Sequence, residues 1–253
     1  MDTLSRLNSL RESTAELLNT ALDKIRRARA NSRGGMQARF RIAEYLLNQA
    51  RQYTEASWDL LKAEKPEASL AVSRWVLEAA LDLLWAIAES TETEDRIKFL
   101  ASEGLRLEAL RLEALPDWDP NQAAEYRESA ADARSERDRL GNLHRKYSRS
   151  LEVRIISLRK QLEAKSIANP YTLYRLCCGA SHPAIDLWRM FSLGPGGATV
   201  TRDAPHDVEQ NALARYISAV AALHLVSGAY CLTNVGDSKD LKAWWEDQVV
   251  PLL

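Results

Sequence analysis

Proline is absent from residues 1–65 and again from 121–169, and within both stretches apolar residues return at helical spacing. In the first, Leu4, Leu7, Leu10, Leu17, Leu18, Leu22 and Ile25 recur at intervals that keep them on one side of a 3.6-residue turn. The run closes on Lys24, Arg26, Arg27 and Arg29, cations suited to the negative end of a helix. Asn31-Ser32-Arg33-Gly34-Gly35 is a stop signal. Phe40, Ala43, Leu46, Leu47, Ala50, Tyr53 and Leu61 then draw a second apolar stripe. These patterns predict helices over 2–30 and 36–63.

Pro66 fits the first turn of a third helix, where a missing N–H costs nothing. Over 67–89 the apolar residues, among them Ala71, Val72, Trp75, Val76, Leu77, Leu81, Leu84 and Trp85, cover nearly the whole circumference. A helix apolar all round belongs at the centre of a fold. Thr91 and Thr93 are candidate caps for the next helix. The unit Arg-Leu-Glu-Ala-Leu occurs at 106–110 and again at 111–115. A period this short is a duplication within a helix, since solenoid repeats are about 20–50 residues long. Pro116-Asp117-Trp118-Asp119-Pro120 reads as a loop. One long helix is expected near 121–165, with Gly141-Asn142 the place where it would bend or break. Tyr171 to Phe191 reads as a helix interrupted near Gly179 and Pro183, and Gly194-Pro195-Gly196-Gly197 as a loop. Ala198–Arg202 is the only strand candidate. Asp207 would cap an apolar helix through Leu232, and Asp237 a last helix carrying Trp244 and Trp245.

The expected fold is all-α: a bundle of about seven or eight helices around the apolar 67–89 helix. It is read as a single helical domain, with a 1–63 hairpin packed on a 67–253 core. Acids and bases nearly cancel at a net charge of -1, so no global field recruits nucleic acid or anionic lipid. Cys177, Cys178 and Cys231 lack the spacing of a disulfide framework or zinc site and read as reduced thiols of a cytoplasmic protein. The N-terminus has an acid at position two and no apolar segment, unlike a signal peptide. The apolar stretch 216–232 contains His224, Ser218, Ser227 and Gly228 and reads as a buried helix, so no membrane partner is expected. No metal-ligand spacing or phosphate loop is present, and no cofactor is expected.

Two constellations carry chemistry. Arg74 and Glu78 lie four apart on the apolar 67–89 helix, with Asp82 a further four along. Charges among apolar residues need partners, and such pairs either tie helices together or wall a site. The second is Tyr171-Thr172-Leu173-Tyr174-Arg175 followed by Gly179-Ala180-Ser181-His182-Pro183. A histidine before a proline leaves the helical region of backbone space, so His182 stands at a chain break. In a straight helix Arg175 and His182 would be about 10 Å apart along the axis, and a break lets them share one phosphate.

Ser73-Arg74-x-x-x-Glu78, Leu84-Trp85, Arg96, Tyr174 and Ser181-His182 together resemble a family of uncharacterised bacterial helical proteins, a domain of unknown function, over roughly residues 40–190. The Arg175-x6-His182 spacing also resembles the motif of HEPN ribonucleases, with Leu176 where that superfamily usually has a polar residue. The resemblance implies metal-independent RNA cleavage in a homodimer, of the kind found in bacterial toxin and defence systems. It implies Arg175 on the scissile phosphate and His182 as general acid or base, with Arg74 and Glu78 in the same cleft and Tyr171 and Tyr174 beside it. The basic segment 134–160, with Arg145, Lys146 and Arg149, would supply phosphate contacts to RNA. Alternatively, its charges pair with the acidic stretch 89–132 in the same chain or across a dimer. Two other functions fit the same residues: a non-catalytic helical interaction or regulatory protein, and a small-molecule enzyme using the Arg/Glu/His cleft.

Overall fold

The computed structural model describes residues 3–33, 36–141, 143, 146–147, 149–163, 173–174, 177, 191–194, 197–200, 208–236 and 238–248. The protein is an all-α helical bundle, with eight α-helices among the described residues. They are α1 (Thr3–Ala30), α2 (Met36–Lys62), α3 (Pro66–Ile87), α4 (Thr93–Trp118), α5 (Ala123–Arg139), α6 (Leu151–Glu163), α7 (Val208–Thr233) and α8 (Ser238–Gln248). A 3-10 turn, Pro120–Gln122, joins α4 to α5. Contacts divide the chain into two compact units, residues 1–84 with 162–253, and residues 85–161.

In the first unit α1 and α2 form an antiparallel hairpin. Glu44 takes Arg26 and Arg29 at one end, and Arg11 lies 3.6 Å from Asp59 at the other. α7 packs against both: Lys24 stands over the Tyr230 ring and Arg215 over the Trp58 ring. Leu10, Leu18, Leu22, Ile25, Leu47, Ile217, Leu225 and Leu232 fill this core. α3 crosses α2 closely because serines line the contact. The Ser57 hydroxyl sits 2.7 Å from that of Ser69 and 2.9 Å from that of Ser73, all three buried. α2 and α7 both end on a left-handed residue, Glu64 and Asn234. Lys65 N–H then donates back to the Leu60 carbonyl and Val235 N–H to that of Tyr230, closing each helix end.

The helix buried on all sides is α7, not α3. Ala214 and Ile217–Val226 are buried without interruption save for half-buried residues at 215 and 216. Ala214–Thr233 is long and apolar enough to cross a membrane, but most of it is covered within the fold, as in a core helix. α3 instead has two faces. Leu70, Ser73, Val76, Leu77, Ala80, Leu81 and Leu83 are buried, whereas Ala71 is exposed and Trp75, Glu78, Ala79 and Asp82 are half-exposed. Alanines and a tryptophan on that outer face explain why the sequence looks apolar all round. The expected helix centre at 67–89 is therefore corrected to α7.

α3 meets α7 where Gly228 faces Leu83. A Cβ at position 228 would stand 3.0 Å from Leu83 Cδ2 and 3.1 Å from its Cγ. Gly228→Ala gains about 1 kcal/mol of helix propensity, but forcing a methyl into packed contact costs about 1–3 kcal/mol. A net loss is expected, read as a lowered urea midpoint with an unchanged slope. A midpoint raised by the full propensity gain would show that this contact yields freely.

In the second unit α4 and α5 form a hairpin, with Ala109, Ala130 and Ala133 buried as small side chains between them and Arg134 paired with Glu113 at its open edge. α4 continues through Pro116 to Trp118, where a loop was expected. Pro116 sits in the last turn, and Asp119 N–H still closes it onto the Leu115 carbonyl at 2.9 Å. The duplicated unit lies wholly inside α4. Its five-residue step turns the helix by about 140°, so the copies cannot bury the same side chains. Leu107 and Ala114 are exposed, whereas their counterparts Leu112 and Ala109 are buried.

The expected helix over 121–165 is two helices, α5 and α6. Gly141 has φ +86, a left-handed conformation that ends α5 and that other residues adopt at a cost. The strand candidate is confirmed in part: β2 (Gly197–Val200) pairs antiparallel with β1 (Phe191–Gly194), in the register Phe191↔Val200 to Gly194↔Gly197. Thr201 and Arg202 lie outside the described residues, as do Asp207 and Asp237, the expected caps. Phe191 begins β1 instead of ending a helix; Leu173, Tyr174 and Cys177 are helical.

Candidate functional site

The outer face of α3 brings together charges and aromatic rings. Arg74 and Glu78 are four residues apart, one turn of helix, and Arg74 Nε donates to Glu78 Oε1 at 2.7 Å. Both side chains remain about a third exposed, at 29% and 32%. They were expected among buried apolar groups; the half-exposed face of α3 is where they lie. The Tyr174 ring comes to 5.5 Å from the Arg74 guanidinium, within the range of a cation–π contact. Next to Arg74 in the chain, Trp75 stacks on Tyr53 of α2, with ring centroids 4.5 Å apart and planes inclined by 16°. Asp82 follows along the same face.

Of the residues expected to form the site, Arg74, Glu78 and Tyr174 therefore meet. Arg175, His182, Tyr171 and Arg145 lie outside the described residues. Lys146 and Arg149 belong to the second unit and are engaged with acids of α4 and of the turn before it. Lys146 Nζ is 3.2 Å from Glu92 and 3.4 Å from Asp95, and Arg149 Nε is 3.2 Å from Glu103. Hydrogen bonds from Lys146, then from Arg96, hold the Glu92 carboxyl below the usual carboxylate range. Arg134 pairs with Glu113. For these three cations the basic segment meets the acidic one within a single chain.

Sequence reasoning missed the centre of the second unit. Trp85, Phe99 and Tyr147 meet edge to face, with centroids 5.4–5.9 Å apart. Arg96 lies 5.0 Å from the Trp85 ring and donates to the Trp85 carbonyl at 2.7 Å. The buried Arg154 lies 5.6 Å from the same ring and 5.9 Å from Phe99, and donates to the Arg149 carbonyl at 2.8 Å. The signal for Arg154 was available: it is the basic residue beside Ile155 and Leu158, the buried stripe of α6.

A shallow groove of about 270 Å³ opens between α1, α7 and α8. Lys24 bridges it to Asp240 at 3.0 Å, and the Trp244 indole donates to the Ser13 carbonyl at 3.3 Å. Among the described residues no cluster of His, Cys, Asp and Glu has the arrangement of a metal site.

Comparisons with family models, with curated proteins and with solved structures find no match. The functional reading therefore rests on the outer face of α3 and on the chemistry of the Tyr171–His182 segment.

Proposed function

We propose that the chain is a HEPN-like protein that binds and cleaves RNA without a metal. What supports this reading is one contact, the Tyr174 ring against the Arg74 guanidinium that is itself bonded to Glu78. Tyr174 immediately precedes Arg175 in the sequence, so the reading takes this contact as the link between the charged face of α3 and the Arg175-x6-His182 motif. In the proposed reaction His182 takes the proton of a ribose 2′-hydroxyl, and that oxygen attacks the neighbouring phosphorus. The bond from phosphorus to the 5′-oxygen breaks, and that oxygen leaves with a proton taken from water. The products are a 2′,3′-cyclic phosphate and a 5′-hydroxyl. Arg175 neutralises charge on the phosphoryl oxygens. Glu78 holds Arg74 in place at the edge of the cleft.

The engaged Lys146 and Arg149 favour a structural role for the second unit, not a phosphate-binding one. The test is incubation of total RNA with the full chain in excess chelator, wild type beside His182→Ala. Cleavage by the wild type and a loss of about 100-fold or more in the variant are expected. Equal cleavage by both proteins, or none by either, ends the nuclease reading. Retained RNA binding without cleavage in the wild type would leave a binding module.

A further inference from the structure

The chain as a whole is nearly neutral, at a net charge of -1, but its charges are not spread evenly. Between residues 26 and 45 stand six arginines, Arg26, Arg27, Arg29, Arg33, Arg39 and Arg41, and one acid, Glu44. Arg26 donates to Glu44 Oε1 at 2.9 Å and to Asn48 Oδ1 at 3.2 Å, and Arg29 pairs with the other oxygen of Glu44. The single carboxylate is thus already taken by two cations. Arg27, Arg33, Arg39 and Arg41 have no acid and no side-chain hydrogen bond among the described residues. Lys146 and Arg149 of the second unit differ, since acids engage both.

Three of these four arginines share the outside of the α1–α2 hairpin with an aromatic ring. Ile25, Ala43 and Leu47 are fully buried. A step of two residues turns a helix by about 200°, so Arg27 stands opposite Ile25, and Tyr45 opposite both Ala43 and Leu47, away from the core. Arg41 is four residues from Tyr45 and shares its face. Arg27, Arg41 and Arg33, which lies on the connection, are all exposed. Because Arg29 reaches Glu44, Arg27, Arg41 and Tyr45 each lie within about one turn of a single junction along the helix axes. Tyr45 is 61% exposed, the highest figure for a large apolar side chain among the described residues.

The residue types select the partner. A local cluster of cations on a neutral chain draws a polyanion. Every cation between residues 25 and 61 is an arginine. A guanidinium grips two phosphate oxygens at once and stacks on flat rings, which an ammonium does not. An exposed tyrosine beside such cations is a platform for an unpaired base. A helix that enters a lipid surface needs a broad apolar face. The other exposed large apolar residues, Leu107, Leu110, Val153 and Ile156, belong to the second unit.

We infer that Arg27, Arg33, Arg41 and Tyr45, on the outer face of the hairpin end, bind single-stranded RNA by its phosphates and one stacked base. This role rests on the RNA-binding half of the proposed function and not on its cleavage half. The test is fluorescence anisotropy of a short labelled single strand of 2′-O-methyl RNA with the full chain, titrated with salt. That oligomer has no 2′-hydroxyl to attack with, so binding is read without cleavage. Arg33→Gln/Arg41→Gln should weaken binding about tenfold or more at low salt and make the dependence of log Kd on log salt shallower by about 1.4, roughly 0.7 for each lost phosphate contact. Tyr45→Ala should weaken binding about tenfold with the salt dependence unchanged, and Tyr45→Phe should restore it. These side chains are exposed, so urea midpoints should match the wild type. No binding by the wild type at low salt overturns the proposal, as does equal binding by wild type and variants. Capture by phosphatidylserine vesicles without binding of the oligomer overturns it in favour of a membrane surface. Binding that the variants lose, beside uncleaved total RNA, ends the nuclease reading and leaves this surface standing. Cleavage of total RNA with oligomer binding equal in all proteins does the reverse.

Discussion

Trp85→Ala is expected to destabilise the second unit by about 4 kcal/mol, within the usual range for emptying a core tryptophan site. The reason lies in what the ring touches. Its edges and faces meet Phe99, Tyr147, Arg96 and Arg154. Removing it opens a cavity and takes the aromatic surface from two guanidinium groups, of which Arg154 is buried. A buried cation that loses a partner costs more than its contacts alone suggest. The check is urea unfolding followed by circular dichroism, beside Trp85→Phe. The phenylalanine keeps an aromatic face and should cost about half as much or less. A loss below about 1 kcal/mol for Trp85→Ala would mean that this cluster does not hold α4 and α6 together.

The same cluster shows where sequence reading reaches and where it stops. The helices were legible because period and punctuation agree: Gly34-Gly35 separates α1 from α2, Pro66 opens α3, and Gly141 marks the end of α5. The depth of each helix was not legible. α3 and α7 look equally apolar in sequence, yet alanines at 71 and 79 tolerate exposure and conceal an outer face. Pro116 was read as a stop, but in the last turn of a helix it forgoes a single hydrogen bond. β1 was missed because Phe191 continues an apolar stretch, and its pairing with β2 is a contact between segments.

At the candidate site, the Arg74–Glu78 pair was legible because four-residue spacing dictates it. The approach of Tyr174 to Arg74 was an expectation that rested on a resemblance, about a hundred residues away in sequence. For Lys146 and Arg149, a run of basic residues says that charge is present and not which acids meet it. Glu92, Asp95 and Glu103 meet it through tertiary structure, which composition does not encode.

Acid should unfold the first unit through His224. This residue is 3% exposed in the middle of α7, and its Nε2 has no hydrogen-bond partner among the described residues. Burial disfavours the imidazolium and pushes its pKa down to about 4 from the ordinary 6.5. Above pH 6.5 the imidazole is neutral in both folded and unfolded chains, and stability does not depend on it. Between pH 6.5 and 4 the unfolded chain binds a proton that the folded chain refuses, so stability falls as pH falls. The loss reaches about 3 kcal/mol by pH 4 and levels off within about a pH unit below it. His224→Leu removes both the titration and the unbonded nitrogen. At pH 7.5 the variant should be at least as stable as the wild type, because a buried polar atom without a partner costs about 1–3 kcal/mol. Between pH 7.5 and 4 it should lose about 3 kcal/mol less than the wild type, measured as the difference in urea midpoints times the slope. Parallel pH profiles for the two proteins would show that the imidazole is protonated as readily in the folded chain as in the unfolded one. In that case water or an acidic group must reach it inside α7.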